Sequence, residues 1–185
     1  MDIEIFIKEK LPPIHRAWYA AWVHWWPTWK SLHSGTRILQ KWEQFELVKE
    51  GQFFLDYGCG PGWFTLPAAR IVGKEGKVYA LDCIPRHLKI VDKKAREKGL
   101  SNIETILSDK KTGLPDECID TIWMCDTLHE IRQKRVLLEE LHRVLKAGGT
   151  LAIYDCLRDK ALAYTEGLFS LAEKDNKLLK LVKER

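Results

Sequence analysis

Phe53-Phe54-Leu55-Asp56-Tyr57-Gly58-Cys59-Gly60-Pro61-Gly62 passes from apolar residues through an acid into three glycines at alternate positions. An apolar run of this length, closed by glycine, is the pattern of a strand buried on both faces of a parallel sheet. Glycine has no Cβ, so the chain leaving that strand can turn sharply and pass close to a ligand. The next residues, Trp63–Val72, read as a helix. A strand, a glycine turn and a helix N-terminus together make a nucleotide-type binding site.

Outward from this stretch, strands and helices alternate. Strands are expected at Phe53–Asp56, Lys77–Asp82, Ile103–Leu107, Ile119–Cys125 and Thr150–Tyr154. Helices are expected at Trp63–Val72, Arg86–Lys98 and Ile131–Lys146. Pro85 suits the start of the second helix. In the third, Leu137, Leu138, Leu141, Val144 and Leu145 share one face, and Gly148-Gly149 reads as its stop. This alternation implies an α/β fold, a parallel sheet with helices on both faces. Leu168–Lys174 and Lys177–Lys183 flank Asp175-Asn176. Local pattern fits either a hairpin with a tight turn or a basic helix.

The N-terminal segment differs in character. Trp18, Trp22, Trp25, Trp26 and Trp29 fall at steps that stack most of them on one helix face, with Pro27 as a break or kink. Such a stripe can pack on the domain, cover an active site, or meet a membrane surface or partner. A second amphipathic helix, roughly Thr36–Lys49, leads into the first strand.

Composition narrows the class. A chain of 185 residues, 45% hydrophobic and 30% charged, is that of a globular protein with one sizeable core. The net charge of +4 comes from 30 basic and 26 acidic side chains without a dense basic block, which argues against nucleic acid as a partner. No apolar run is long enough for a signal peptide or a membrane span, so a cytoplasmic protein is expected. Cys59, Cys83, Cys118, Cys125 and Cys156 form no Cys-x-x-Cys pair, and neither a disulfide framework nor a metal site is expected.

Acids stand at the ends of the expected strands, the edge where ligands bind in parallel sheets. Asp56 could hold a cationic amine or orient loop amides. Asp82 is placed for the two hydroxyls of a ribose, or else for a helix cap. Asp109 could meet the exocyclic amine of adenine, or lie in a solvated turn. Cys125 and Asp126 end the fourth strand. His129, beside Glu130, is the best candidate for a general base, against the reading of a loop histidine ahead of the third helix. The Gly-x-Gly-x-Gly loop departs from the dinucleotide fingerprint Gly-x-Gly-x-x-Gly. No Tyr-x-x-x-Lys set supports a dehydrogenase. Cys125-Asp126-Thr127-Leu128 stands where a nucleic-acid methylating enzyme would carry an Asn/Asp-Pro-Pro-Tyr element.

Asp56-Tyr57-Gly58-Cys59-Gly60-Pro61-Gly62, Leu81-Asp82, Ser108-Asp109 and Leu141-His142-Arg143-Val144-Leu145-Lys146-Ala147-Gly148-Gly149 follow one another in a familiar order and spacing. From about residue 35 to 155 the chain resembles a class I S-adenosylmethionine-dependent methyltransferase, of the small-molecule type found in ubiquinone and menaquinone biosynthesis. The resemblance implies a Rossmann-like, doubly wound, mostly parallel seven-stranded sheet of order 3-2-1-4-5-7-6, with helices on both faces and a C-terminal β-hairpin. It implies that Gly58, Gly60 and Gly62 pass the methionine part of S-adenosylmethionine, and that Asp56 helps to bind its amino group. By the same likeness Asp82 holds the ribose, Asp109 meets adenine, and Cys125 and Asp126 line the floor near the methyl donor. Tyr57, Cys59, Cys83 and Lys110 adjoin these positions and are expected at the cofactor too.

The expected organisation is a tryptophan-rich lid or extension over residues 1–34 and a methyltransferase domain over 35–185. The expected acceptor is small and apolar or aromatic, and Trp18–Trp29 allows peripheral membrane contact without insertion. The rival reading is a non-catalytic subunit that binds S-adenosylmethionine and meets a partner through the tryptophan-rich helix.

Overall fold

The computed structural model describes residues 38–184. The chain divides into two units, residues 1–46 and 47–185. In the first, residues 38–44 are helical. Phe45 N–H donates to the Lys41 carbonyl at 2.9 Å, and Glu46 then takes φ 49°, a left-handed conformation that stops the helix. The helix expected to run to residue 49 therefore ends early. The expectations for residues 1–34, the tryptophan stripe among them, lie outside the described residues.

The second unit is built on a sheet of seven strands: β1 (Phe53–Tyr57), β2 (Lys77–Asp82), β3 (Ile103–Leu107), β4 (Ile119–Cys125), β5 (Leu145–Tyr154), β6 (Phe169–Lys174) and β7 (Leu178–Lys183). Their order across the sheet is β3-β2-β1-β4-β5-β7-β6. β1 to β5 run parallel, and β7 runs antiparallel to both β5 and β6. The helices are α1 (Thr65–Val72), α2 (Pro85–Glu97), α3 (Lys134–Val144) and α4 (Arg158–Thr165). α1 packs on β1 and β2, α2 on β2 and β3, α3 on β5, and α4 on β6.

β1 can lie inside the sheet because four of its five side chains are buried. Successive side chains point to opposite faces of a strand. Leu55 and Tyr57 join one core cluster with Leu138 and Leu141 of α3. Asp56 faces the other way, toward Thr65 of α1. Trp123 of β4 is wholly buried, with the Phe64 ring edge-on at 5.4 Å and the Tyr154 ring at 6.4 Å.

The structure differs from the sequence expectation at three helix boundaries. α1 starts at Thr65 and not Trp63, because the chain first makes a tight turn in which Gly62 N–H donates to the Cys59 carbonyl. α3 starts at Lys134 and not Ile131, because Leu128–Glu130 forms a separate 3-10 turn and Ile131 is extended. α3 also ends at Val144, well before Gly148-Gly149. Cys118 N–H and Glu117 N–H capture the carbonyls of Val144 and Arg143, and Leu145 already pairs with Ile119. The two glycines instead form an irregularity inside β5, where the register to β4 shifts and Gly148 takes φ 74°. α4 has no counterpart in the sequence reading. The tail settles as a hairpin: Asp175 Oδ1 accepts Lys177 N–H and Leu178 N–H, both at 2.8 Å, and fixes the turn.

The end of α1 is held from outside. The Asn102 side-chain amide donates to the Ala69 carbonyl at 2.8 Å and the Gly73 carbonyl at 2.7 Å, supplying partners that a helix C-terminus lacks. Asn102→Ala is expected to lower the unfolding free energy by about 1–2 kcal/mol. Urea denaturation checks this, and an unchanged midpoint would remove Asn102 from the forces that anchor α1.

Candidate functional site

β1 lies between β2 and β4, and the chain winds outward from it in both directions. Such a reversal of strand order opens a crevice at the C-terminal strand ends. The glycine loop after β1 and the segment after β4 meet there. A Cβ on Gly58 would lie 2.4 Å from Thr127 Oγ1 and 2.6 Å from its Cγ2, so no other residue lets the two loops come this close. Gly58 N–H and Cys59 N–H both donate to the Leu81 carbonyl, at 2.8 and 3.0 Å. Gly58, Gly60 and Gly62 all take positive φ. At Gly60 a Cβ would meet nothing within 4 Å: that side of the loop faces open space.

Asp82, buried at the end of β2, clasps this loop. Its Oδ2 accepts Gly60 N–H and its Oδ1 accepts Ile84 N–H, both at 2.8 Å. His87 of α2 brings Nδ1 to 3.2 Å from Asp82 Oδ2, though the angle does not make a hydrogen bond. Cys83 follows on the turn, its thiol pushed up to about 11 by burial and by the Asp82 charge.

Asp56 is buried under the first turn of α1. Its Oδ2 accepts the Thr65 hydroxyl at 2.6 Å. Burial raises its pKa to about 7, Thr65 hydrogen bonds oppose the rise, and the Asp82 charge adds to it. Near neutrality this carboxyl is therefore poised between its two forms. Cys59, in the loop, points its Sγ toward the Gly60 carbonyl at 3.4 Å, and burial drives its thiol far above the ordinary range. It is a packed thiol and not a nucleophile. The Tyr57 hydroxyl donates to the main-chain carbonyl of Asp109 at 3.2 Å and ties the loop after β3 to β1. The side chains of Asp109 and Lys110 are exposed on that loop.

On the far side of the crevice, Cys125 ends β4 with its thiol pushed well up by burial. Asp126 is exposed, with φ 48°. Thr127 donates to the Cys125 carbonyl at 2.9 Å and packs on Gly58. His129 sits in the 3-10 turn, and its Nδ1 lies 3.1 Å from Asp155 Oδ2. The same oxygen accepts His129 N–H at 3.2 Å, while Asp155 Oδ1 accepts Leu157 N–H at 2.9 Å. Burial pushes the Asp155 pKa up, but the bonds from Leu157 N–H and from the ring and N–H of His129 outweigh it, and the carboxyl falls below its ordinary value. The ligand atoms of His129, Asp155 and Cys156 lie within 4.8 Å of one another. Both Asp155 oxygens are already engaged by N–H donors, so this trio reads as a histidine–aspartate pair beside a thiol.

Thus Asp56, Gly58, Cys59, Gly60, Gly62, Asp82 and Cys83 gather on one side of the crevice, Cys125, Asp126 and His129 on the other, and Tyr57 reaches the loop of Asp109 and Lys110. Sequence reasoning missed Thr65, His87, Thr127 and Asp155. Asp155 was within reach: it directly follows a parallel strand, the rule that marked Asp56. Thr127 carried no signal, since only the folded chain shows what lies against Gly58.

A family model described as a methyltransferase domain matches residues 48–184. The demethylmenaquinone methyltransferase of Geobacillus stearothermophilus is 35% identical over 103 residues, which cover 55% of this chain and 44% of that protein. The ubiquinone/menaquinone biosynthesis C-methyltransferase of Escherichia fergusonii is 32% identical over 124 residues, covering 64% of this chain and 49% of its own. Among solved structures, a SAM-dependent methyltransferase from Aquifex aeolicus matches with a TM-score of 0.68 and 28% identity, over 80% of this chain and 87% of that one. The chain spans about half the length of the curated relatives it matches.

Gly58→Ala combines the Thr127 collision with an unfavourable φ of 76°. It is expected to cost about 2–3 kcal/mol. Thr127→Ala in the same chain should recover only part of this, because the backbone strain stays; full recovery in denaturant melts would show that collision alone mattered. Asp56 gives a pH signature. Its folded pKa is raised, so its contribution to stability is full below about pH 4 and is lost as pH rises through about 7. Relative to Asp56→Asn, the parent should lose stability across that window, read as a melting-temperature gap that changes with pH. A gap independent of pH would contradict the raised pKa.

Proposed function

The chain belongs to the methyltransferase-domain family, and on that footing we propose that it transfers a methyl group from S-adenosylmethionine to a small apolar or aromatic acceptor. The observation that carries this reading is the Asp82–Gly60 clasp beneath the open side of the glycine loop.

The residues present fit the donor. A carboxylate has about four lone-pair sites; Asp82 spends one on each of two N–H groups, and with His87 Nδ1 also beside Oδ2, Oδ1 keeps a site for a ribose hydroxyl. The bare side of Gly60 lets the main chain approach the methionine part. Asp56, half ionised near neutrality, gains its charge when an ammonium comes near. Asp109 and Lys110, on the loop that Tyr57 holds, stand on the adenine side in this reading. Cys125 and Asp126 form the floor toward the acceptor.

When bound, S-adenosylmethionine supplies an electrophilic methyl group on a sulfonium that leaves as a neutral thioether. The protein has little covalent work to do. Its loops align donor and acceptor and keep water out, the proximity part of catalysis. The relatives' names refer to quinone acceptors, which supports an aromatic, apolar acceptor here. Among the described residues no helix is long and apolar enough to cross a membrane. The five cysteines stand as free thiols, which supports a reducing, cytoplasmic setting.

Calorimetry with S-adenosylhomocysteine tests the reading. Asp82→Asn is expected to weaken binding about 10- to 100-fold. Gly60→Ala should weaken it at least as much at a strain of only about 1–2 kcal/mol in stability, because the added methyl group meets ligand and not protein. No binding by the parent chain would refute the proposal. Binding without transfer across a broad acceptor panel would point to a cofactor-binding subunit.

A further inference from the structure

The histidine–aspartate pair after β4 and β5 has a geometry with a chemical consequence. His129 is anchored through its neighbours: Leu128 is fully buried, and Thr127 is wedged against Gly58 of the donor loop. The Asp155 side chain is 0% exposed, while that of His129 is 36% exposed. Three donors converge on the Asp155 carboxylate and hold it ionised. An ionised carboxylate only accepts, so the imidazole atom facing it must carry the proton. Nδ1 is then an N–H, and in the neutral ring the lone pair falls to Nε2. The ionisable groups around the ring are Asp155 and Cys156 from the turn after β5 and Glu130 from its own turn, whose Oε1 is 3.9 Å from Nε2. Asp126 and Lys177 are charges that act on Cys125, at the end of β4.

We propose that Asp155 is a positioning residue that fixes His129 in the tautomer able to take a proton through Nε2, and that the acceptor therefore belongs to the class that must lose a proton to be methylated, hydroxyl compounds first among them. This rests on the methyl-transfer reading above. As the acceptor oxygen forms its bond to the methyl carbon, the methyl–sulfur bond breaks and its electron pair goes to sulfur. The hydroxyl proton passes to Nε2, and the imidazolium gives it up to water afterwards. An acceptor with a free lone pair and no proton to lose, such as a tertiary amine or a thioether, would gain nothing from the pair.

The first readout needs no donor. Nitrogen-15 NMR of the imidazoles in the ligand-free chain is expected to show His129 as the Nδ1–H tautomer. In Asp155→Ala, which removes the acceptor that faces the ring, the imidazole should shift toward the Nε2–H form. The Nε2–H form in the parent, or one tautomer unchanged between the two proteins, overturns the positioning role. The second readout is turnover of 1-naphthol. Asp155→Ala should lower kcat about 100-fold with little change in KM, the size of a general-base effect. His129→Gln, which leaves the main-chain donor of residue 129 and that of Leu157 on Asp155, should lose as much with an unchanged melting temperature. A kcat equal to that of the parent in either variant, or a parent that methylates thioanisole and leaves 1-naphthol untouched, overturns the proposal. Binding of S-adenosylhomocysteine keeps the two ideas apart. Its absence from the parent refutes methyl transfer itself, whereas normal binding with the wrong tautomer refutes only the role of Asp155.

Discussion

The carboxylate of Asp82 accepts main-chain N–H groups from two directions, Gly60 in the loop after β1 and Ile84 in the turn after β2. Its place depends on register. Tyr57 pairs with Leu81, so β2 runs one residue past the end of β1 and brings Asp82 beside the loop. The Leu81 carbonyl, one residue back, takes Gly58 N–H and Cys59 N–H. The loop is therefore pinned to β2 by its own amides, and its positive φ values at residues 58, 60 and 62 are the backbone cost of that route. α1, Asp56 beneath it, and the close pass of Thr127 all follow from where this loop is held.

Two buried acids at the ends of parallel strands then acquire opposite tendencies. Asp56 has Thr65 as its hydrogen-bond partner and Asp82 as a neighbouring like charge, so desolvation prevails and its pKa rises. Asp155 is desolvated as well, but it collects two main-chain N–H donors and a ring nitrogen, and its pKa falls. Placement at a strand end is the same; the count of donors and the sign of the nearest charge decide the outcome. One end of the crevice can thus answer to a cation, while the other keeps a fixed negative charge behind an imidazole.

Much of the fold is legible in the chain. Phe53–Asp56 reads as a buried parallel strand because it is apolar up to its closing acid, and the β-α alternation gives the parallel sheet. The hairpin is less so: Asp175-Asn176 allows a turn, but only β7 inserted beside β5 makes its two halves strands. Local pattern fails where distant partners decide. Leu145 could continue a helix, yet Ile119 takes it into the sheet and the two glycines become an irregularity within β5. α4 has few periodic apolar residues to announce it. In the site, Asp56, Asp82 and the glycines could be picked out by position. The partnership of His129 with Asp155, 26 residues apart, could not, since it needs β4 and β5 side by side.

The order β5-β7-β6 has a consequence for how the chain is made. β6 precedes β7 in sequence but is separated from β5 by it, so β6 has nowhere to dock until β7 exists. Thr150 must wait for Val182. While synthesis is still short of residue 183, β5 presents a bare row of main-chain groups next to the buried side chains of Leu151 and Ile153. A nascent chain in that interval is a template for foreign strands, and its protection must come from speed or from a chaperone. Once β7 slots in, the rim passes to β6, whose Ser170, Glu173 and Lys174 are exposed and polar. The final insertion converts an adhesive border into a soluble one.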